Sequence, residues 1–475
     1  MNPLRSRALV LSLLAGASLS ACAALPPPGR APLAKAPQAY ATAQTFAAAT
    51  RDWPEDAWWT AYGDNQLDNL IQEALSGSPS LISAEARLRK ARTVRAQTRA
   101  LSRPQLNGDA SVQELKQSDN VGIPREFVPQ GYQDYERLAL DFSWELDFWG
   151  RNRAAVAAAT SEARAAEADA AEARLLLSTA IAAAYADLAR LFTERDVAER
   201  AVSVQDETSK LVRDRVANGL DTLGEQRLAE ANPLQARADL GAIDEQISLT
   251  RNRLAALLGA GPDRGLAINR PSAAKLKPMG VPAQLAANLV GRRPDVAAAR
   301  WRAEAATQRI HEARARFYPD VNLTGFIGFQ SLLLRELTAP GSDIGAIGPA
   351  LSLPLFDGGR LKAGLRGAEA DRDAAVASYD ATVTEAFRQV ADVLASSRAL
   401  QAQVDDSRAA LAKSEDAYRI AKLRYQGGLS TYPTVLLAEQ GLLQRRRTVA
   451  DLDARALALD VQLVLALGGG YHALA

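Results

Sequence analysis

An internal repeat constrains the fold of this chain more than any other feature. Residues 79–107 align without a gap with residues 294–322, an offset of 215 positions. Prolines, asparagines and glycines recur at matching places: Pro79 with Pro294, Pro104 with Pro319, Asn107 with Asn322, Gly219 with Gly428, and Gly259 with Gly468. A period this long exceeds that of solenoid repeats. The sequence therefore predicts two copies of one large hairpin unit, and with them a pseudo-symmetric or ring-like assembly.

Long helices account for most of each copy. Residues 151–218 contain neither proline nor glycine over 68 positions, which corresponds to a helix of roughly 100 Å. Residues 360–427 span the same length in the second copy. Apolar residues, mostly alanine and leucine, recur every seven residues along 151–218 and again along 429–467, a pattern typical of helices packed side by side. Further helices are predicted over 79–103, 220–258, 294–318 and 429–467.

Each copy also contains two segments that alternate between apolar and polar residues, as half-buried strands do. These segments are residues 106–113, 138–148, 321–329 and 351–355, so the strands are expected at about 105–148 and 320–356. Four strands cannot close a barrel, and an open sheet edge is not tolerated in lipid. If the strands contact lipid, several chains must share one barrel. The polar face of that barrel would then line its lumen with Asp109, Asp141, Glu145 and Asp147.

The N-terminus has the features of a bacterial export signal. Arg5 and Arg7 precede an apolar segment, residues 8–19, that is too short to span a bilayer. Cys22 is the only cysteine in the chain, and it follows Leu19-Ser20-Ala21. This arrangement resembles a lipobox, in which the cysteine thiol carries a covalent lipid. We expect a signal peptide over 1–21 and a lipidated tether over 22–52, with no other cofactor.

Composition and motifs exclude several other functions. The net charge of +1 and the dispersed basic residues give no indication of nucleic-acid binding. His311 and His472 lack the neighbouring cysteines or carboxylates of a metal site. The phosphate-binding, serine-hydrolase and metalloprotease motifs are missing from the sequence. We therefore predict that the chain is not an enzyme and binds no metal.

Several motifs, taken in order, resemble the outer membrane factor family of TolC/OprM-like channels, and within it the NodT-like efflux lipoproteins. The motifs are Trp58-Trp59-x-x-Tyr62-Gly63-Asp64, Arg292-Arg293-Pro294-Asp295-Val296, Pro354-Leu355-Phe356-Asp357-Gly358-Gly359-Arg360, and Arg424-Tyr425-x-x-Gly428-Leu429-Ser430. The resemblance extends from about residue 53 to residue 468. It implies a mainly α fold in which long helices form an α-barrel tunnel. Four strands per chain would contribute to a trimeric 12-stranded barrel in outer-membrane lipid.

The resemblance also implies a domain division. The first repeat would occupy 53–261 and the second 285–468, joined by a linker or equatorial region over 262–284 and followed by a tail over 469–475. The turns after the long helices would form the periplasmic tip, where a periplasmic adaptor protein docks. The residues concerned are Asn218, Gly219, Leu220, Asp221 and Thr222 in the first turn, and Gly427, Gly428, Leu429, Ser430 and Thr431 in the second.

Members of the family line the tip constriction with aspartates, and here this chain differs. Thr434 and Leu437 occupy those positions, so an acidic ring cannot form from them. We expect an apolar seal from Tyr432, Pro433 or Leu437. Lys422, Arg424 and Tyr425 lie just before the second turn and are candidates for adaptor contact, or for bonds between subunits that hold the tip closed. Ordinary helix surface is the alternative for these three.

The function predicted is a passive exit duct in a tripartite efflux system. An inner-membrane pump would supply the energy, and the adaptor would join it to a homotrimer of this chain. Two alternatives remain: a duct for type I protein secretion, which shares the fold, and a non-conducting periplasmic spacer lipoprotein. A spacer has no need of strands with one wholly apolar face. The cargo and the class of pump cannot be read from the sequence.

Overall fold

The computed structural model describes residues 33–36, 39–42, 44–46, 50–118, 124–128, 130–272, 281–282, 289 and 291–472. The predicted signal peptide, Cys22, most of the tether and much of the linker lie outside these residues. The chain divides into two compact units, and neither is one of the repeats. Unit 1 contains Leu88–Ala166 and Ala299–Tyr379, and unit 2 contains Lys35–Arg87, Glu167–Ala298 and Asp380–Ala475.

Helices dominate the described chain, as the sequence predicts. They are α1 (Asn65–Gly77), α2 (Pro79–Leu101), α3 (Arg151–Ala217), α4 (Leu223–Leu257), α5 (Asp263–Leu266), α6 (Pro294–Ala315), α7 (Arg360–Gln426) and α8 (Tyr432–Leu467). The strands are β1 (Thr50–Arg51), β2 (Gln105–Leu115), β3 (Gln133–Glu145), β4 (Val281–Pro282), β5 (Asp320–Ser331) and β6 (Asp343–Ser352). The two long helices, α3 and α7, have 67 residues each, one fewer than predicted.

Unit 1 contains a four-stranded antiparallel sheet in the order β2-β3-β5-β6. Its register pairs apolar residues of neighbouring strands on one face, for example Leu140 with Ile327. On the other face Asn107 pairs with Asp141. Ile327 is 68% exposed and Ile347 is 76% exposed, so this sheet has an apolar face that the described chain leaves uncovered.

Two predicted strand boundaries are wrong. The second strand ends at Glu145, three residues before Phe148, because Asp147 accepts hydrogen bonds from the first backbone amides of α3. The fourth strand is Asp343–Ser352 and ends before Pro354 and Leu355. Its alternation is weak because glycine, alanine and proline occupy many of its positions.

In the core of unit 2, the segment Trp58–Gly77 packs against α3, α4 and α8, and we call this packing the Asp64 anchor. Trp59, Leu70 and Ile71 are fully buried among residues of α3, α4 and α8. Asp64 begins α1 by accepting the Gln66 and Leu67 amides at 2.9 and 3.3 Å. This anchor explains the tryptophan-rich motif at the start of the predicted first repeat.

Asp64 also ties distant parts of unit 2 together. Its carboxylate accepts hydrogen bonds from the hydroxyls of Tyr185 at 2.7 Å and Ser272 at 2.8 Å. Burial alone would raise the pKa of Asp64, but these hydrogen bonds outweigh it and the pKa is lowered. The Tyr62 hydroxyl donates to Asp460 of α8 at 2.7 Å, so the same motif holds the end of the last helix.

A glycine follows each of the helices α4 and α8, and it packs against the start of another helix: α2 in the first repeat and α6 in the second. A Cβ on Gly259 would lie 2.7 Å from Pro79, and one on Gly468 would lie 2.0 Å from the Arg292 carbonyl oxygen. Arg293 is 5% exposed and donates to the Ala466 carbonyl, in the last turn of α8, at 3.0 Å. We call this region, with the Asp64 anchor, the equatorial end. Its parts are fixed by close packing.

Candidate functional site at the tip

The tip consists of two turns, residues 218–222 and 427–431, that are built alike. The chain reverses at Gly219 and at Gly428, each with φ of +73°, a conformation that favours glycine. In each turn the residue after this glycine donates a backbone hydrogen bond to an arginine carbonyl five positions earlier: Leu220 to Arg215 at 2.9 Å, and Leu429 to Arg424 at 2.8 Å. The two copies of the repeat therefore also share the backbone hydrogen bonds of their turns.

The helices that follow the two turns begin differently. Thr222 and Glu225 form a reciprocal capping box at the start of α4. At the start of α8 the corresponding Thr431 makes no such side-chain bond, and Pro433 lies in the first turn of the helix instead. The first turn is thus held by more polar contacts than the second.

A polar cluster of Arg215, Asp221 and Tyr425 links the two turns, and we call it the tip lock. The Arg215 guanidinium donates to Asp221 at 2.9 Å and to the Tyr425 carbonyl at 3.0 Å. The Tyr425 hydroxyl donates to the same Asp221 carboxylate. The guanidinium also lies 4.4 Å from the centroid of the Tyr425 ring. One carboxylate therefore receives donors from both hairpins.

Burial and charge favour this arrangement at neutral pH. Tyr425 is fully buried, and the Arg215 and Asp221 side chains are 13% and 7% exposed. Burial first, and then the hydrogen bond to Asp221, raise the pKa of the Tyr425 hydroxyl. The bond to Asp221 also raises the pKa of Arg215. The tyrosine stays protonated and the arginine charged, so the lock has the strength of charge-assisted hydrogen bonds.

An apolar cluster lies beside the lock. Val212 of α3, Ala229 of α4, and Tyr432 and Val435 of α8 are buried against Tyr425. The Tyr425 and Tyr432 ring centroids are 6.2 Å apart. Asn232 donates to the Tyr432 hydroxyl at 3.0 Å, which joins α4 to α8.

A buried acid that the sequence analysis missed lies one helical turn further along α8. Glu439 is 2% exposed and accepts a hydrogen bond from the Thr208 hydroxyl of α3 at 3.2 Å. Burial raises the pKa of Glu439, and the Thr208 bond opposes that rise. Its position, four residues after Val435 and three before Leu442, places it on the buried face of α8. The residue type concealed this, because a glutamate is ordinarily solvent-exposed.

The structure places the predicted closure residues in different environments. Tyr425 donates its hydroxyl to Asp221 within its own chain. Its predicted contact with an adaptor or a neighbouring subunit stays a prediction. Lys422 lies 3.4 Å from Glu207 of α3. Arg424 is exposed, although its equivalent in the first turn, Arg215, belongs to the lock.

The predicted docking and constriction residues are mostly at the surface. Leu220 is 63% exposed and Leu429 is 72% exposed. Pro433, Thr434 and Leu437 are also exposed. Tyr432 is 2% exposed inside the apolar cluster, so in this conformation it does not face an aperture. The roles of the exposed residues remain predictions.

The four predicted lumen acids do not all lie in the same environment. Asp109 and Asp141 share one face of the sheet, where Arg137 pairs with Asp141 at 2.8 Å. Glu145 ends β3 and bonds to Arg151. Asp147 follows the strand and caps α3, as described above. Within the described chain, histidines and carboxylates form no group of three with the geometry to hold a metal ion.

Comparison with known proteins decides the family. The profile of the outer membrane efflux protein family matches residues 70–260 and 285–469, most of the chain. The chain belongs to the outer membrane efflux protein family. Its mainly helical fold with a small membrane sheet, and its location in the outer membrane, are thereby confirmed.

Individual members of the outer membrane efflux protein family match over most of their length. The multidrug resistance outer membrane protein MdtP of Escherichia coli K12 is 33% identical and covers 100% of this chain and 98% of its own. The crystal structure of the outer membrane protein VceC of Vibrio cholerae is 47% identical, with a TM-score of 0.84 over 88% of this chain and 100% of that one. The fusaric acid resistance protein FusA of Burkholderia cepacia is 36% identical over 68% of this chain and 62% of its own.

Proposed function

We propose that three copies of this efflux protein form a passive exit duct for small molecules across the outer membrane. The observation that carries the proposal is the uncovered sheet of unit 1. Its four strands have an apolar face with Ile327 and Ile347 at the surface, and its edge strands β2 and β6 lack a further partner within the described chain. Neither an open edge nor four strands alone can exist in lipid, so other copies must complete the barrel.

The duct itself performs no chemistry in this proposal. An inner-membrane pump supplies the energy, and a periplasmic adaptor connects the pump to the tip. The exposed Leu220 and Leu429 give the tip an apolar surface for such a contact. The names of the relatives refer to multidrug and fusaric acid resistance, so we infer small amphiphilic compounds as cargo.

The tip lock is the proposed closing device of the duct. Arg215, Asp221 and Tyr425 hold the two hairpins together at one carboxylate, and the exposed Pro433, Thr434 and Leu437 form the proposed constriction. An adaptor that binds the open tip more tightly than the closed tip shifts the population toward the open state. Opening must break the contacts of the lock and expose part of the apolar cluster around Tyr425, so the binding energy of the adaptor has to offset that cost.

A lipid on Cys22 is the proposed anchor of the N-terminus. A single acyl chain binds membranes only marginally, whereas several chains bind firmly. The barrel already holds the protein in the membrane, so we expect the lipid to aid sorting and insertion more than retention.

Drug susceptibility of a deletion strain tests the proposed function. We expect the strain to become sensitive to amphiphilic compounds, and wild-type protein to restore resistance. Complementation with Cys22→Ser measures what the lipid adds. Unchanged susceptibility together with loss of a secreted protein would favour type I secretion instead. A purified protein that is monomeric and does not conduct in planar bilayers would contradict the duct.

A further inference from the structure

One side of α2 carries a row of arginines with no acidic residue among them. Residues 86–108 contain seven basic side chains and neither aspartate nor glutamate. At about 100° per residue, the four arginines of the row that belong to the helix fall within an arc of about 120°. We call the row the arginine ladder, and it consists of Arg89, Arg92, Arg95, Arg99 and, just after the helix, Arg103.

The charge of the ladder is not neutralised by the rest of the described chain. All five arginines are exposed. Arg89, Arg95, Arg99 and Arg103 form no salt bridge with any described residue, and neither does Glu85, the nearest acid before them in the sequence. A surface with this much unpaired charge of one sign attracts anions over several ångströms.

The second repeat shows that the fold itself does not require these arginines. At the offset of 215 positions, only one of the five equivalent residues is an arginine. The equivalents are Glu304, Thr307, Ile310, Arg314 and Tyr318. The same helix position is therefore compatible with acidic, apolar and aromatic side chains, so the ladder is a property of the surface of the first repeat and not of helix packing.

The ladder lies on the same side of the helical layer as the N-terminal tether. Leu101 lines a cleft together with Ala155 of α3. Residues nine positions apart lie on opposite faces of a helix, since nine residues make two and a half turns. Arg92 precedes Leu101 by nine positions and Arg164 follows Ala155 by nine, so both lie on the side away from the cleft. On that side Arg164 lines a groove with Ala34 of the tether.

The upper end of the ladder lies at the base of the membrane sheet. Helix α2 leads directly into β2, and the Ser102 carbonyl accepts a hydrogen bond from the Trp144 indole of β3 at 3.3 Å. The tether leads back to Cys22, whose proposed lipid lies in the membrane outside the barrel. The ladder therefore faces outward, beneath the lipid that surrounds the barrel, and not into the lumen.

We propose that the upper end of the arginine ladder binds the anionic phospholipid headgroups of the inner leaflet of the outer membrane. At 1.5 Å per residue, Arg99 lies about 6 Å below Arg103, and Arg89 lies about 21 Å below it. Attraction to an anionic lipid surface falls off within a Debye length, which is about 8 Å at physiological salt. Arg99 and Arg103 therefore carry most of the binding, and the arginines of three copies surround the duct and fix its depth in the membrane. This inference rests on the proposed duct.

Quenching of tryptophan fluorescence by brominated lipids tests this surface in the full-length protein reconstituted into vesicles. Phosphatidylglycerol and phosphatidylcholine with identical brominated chains are compared, and the exposed Trp144 and Trp149 are the reporters. We expect wild type to prefer phosphatidylglycerol about fivefold, the factor that one basic residue near an anionic surface provides. The preference should fall at 1 M salt, where the Debye length is about 3 Å. Arg99→Gln combined with Arg103→Gln should abolish most of it.

Arg89→Gln is the matched control, because it removes the same charge from the same face at the far end of the ladder. It should keep the wild-type preference. Equal quenching of wild type by the two lipids would overturn the proposal. An equal loss of preference in Arg89→Gln would also overturn it, since that result indicates an elongated acidic partner and not a lipid surface. The double variant should still conduct in planar bilayers, so a failed lipid test leaves the duct standing, whereas a wild type that does not conduct would contradict the duct itself.

Discussion

The two ends of the helical hairpins in unit 2 are held by different kinds of contact. At the equatorial end, Gly468 and its neighbours pack so closely against the backbone that a methyl group does not fit. At the tip, a few polar contacts around Asp221 join two turns whose neighbouring leucines are exposed. Close packing resists movement, whereas a small polar cluster can break and re-form. Close packing therefore stabilises the equatorial end, and the weaker contacts at the tip support the proposal that the tip is the end that opens.

The largest expected effect is at the equatorial end. In Gly468→Ala the new Cβ would lie 2.0 Å from the Arg292 carbonyl oxygen, at a φ of +90°. We expect a loss of more than about 4 kcal/mol of stability, or failure to fold. Gly441→Ala lies in the same helix with open space around it. That control should gain about 0.5 kcal/mol. Thermal unfolding followed by circular dichroism measures both, and equal melting temperatures would refute the packing argument.

Arg293 should give the next largest effect. Its guanidinium is buried and donates to the Ala466 carbonyl, to Gln389 at 2.9 Å and to Asp295 at 2.6 Å. Arg293→Ala leaves these acceptors unpaired, and we expect a loss of about 3 kcal/mol in thermal unfolding.

The adjacent Arg292 provides the control for that experiment. Its guanidinium lies over the Trp53 ring at 4.8 Å, so Arg292→Ala should lose about 1 kcal/mol. A larger loss of stability in Arg292→Ala than in Arg293→Ala would contradict the claim that Arg293 holds the equatorial end together.

The same chemical change at the two ends separates stability from gating. Tyr425→Phe removes the hydroxyl that donates to Asp221 at the tip, and Tyr185→Phe removes the hydroxyl that donates to Asp64 at the equatorial end. Each substitution removes about 1.5 kcal/mol of local stabilisation from the lost hydrogen bond. We expect Tyr185→Phe to lower the melting temperature without added leakage. Tyr425→Phe should raise uptake of a large hydrophilic antibiotic at a nearly unchanged melting temperature. Leakage from both variants alike would remove the distinction.

The smallest expected effect concerns Glu439. Burial raises its pKa in the folded protein, so the folded state is penalised as pH rises from about 4.5 through that raised pKa. Glu439→Gln avoids the buried charge and should stabilise the tip by about 1 kcal/mol at pH 7.5. The advantage should vanish below pH 4.5, where the carboxyl is protonated in both states. A pH-independent difference would contradict the buried charge.

The sequence predicts the helices well because their signals are local. The ends of α3 and α7 agree with prediction to within one residue, since both runs lack proline and each ends at a glycine, Gly219 after α3 and Gly427 after α7. Strand β6 was misplaced because Gly345, Gly348 and Pro349 weaken its alternation. Its correct position depends on pairing with β5, which is a tertiary interaction.

The tip lock could be predicted only in part. Tyr425 is named by its motif, and Asp221 by the turn in which it lies, but their contact joins residues 204 positions apart. Arg215 occupies the place of Arg424 in the other copy, so an alignment of the two turns could have drawn attention to it. The repeat gives no reason why Arg215 is half of a buried pair while Arg424 is exposed. That difference follows from Asp221, which Ser430 replaces in the second turn.

Single-channel conductance in planar bilayers tests the central claim, that the chain forms a channel closed at the Asp221 lock. The comparison is between wild type, Asp221→Ala and Asp206→Ala, in which an exposed acid loses its 2.8 Å contact with Arg237. We expect small conductance for wild type and Asp206→Ala, and a several-fold larger conductance for Asp221→Ala. Equal conductance in all three would contradict the lock, and no conductance in any of them would contradict the channel.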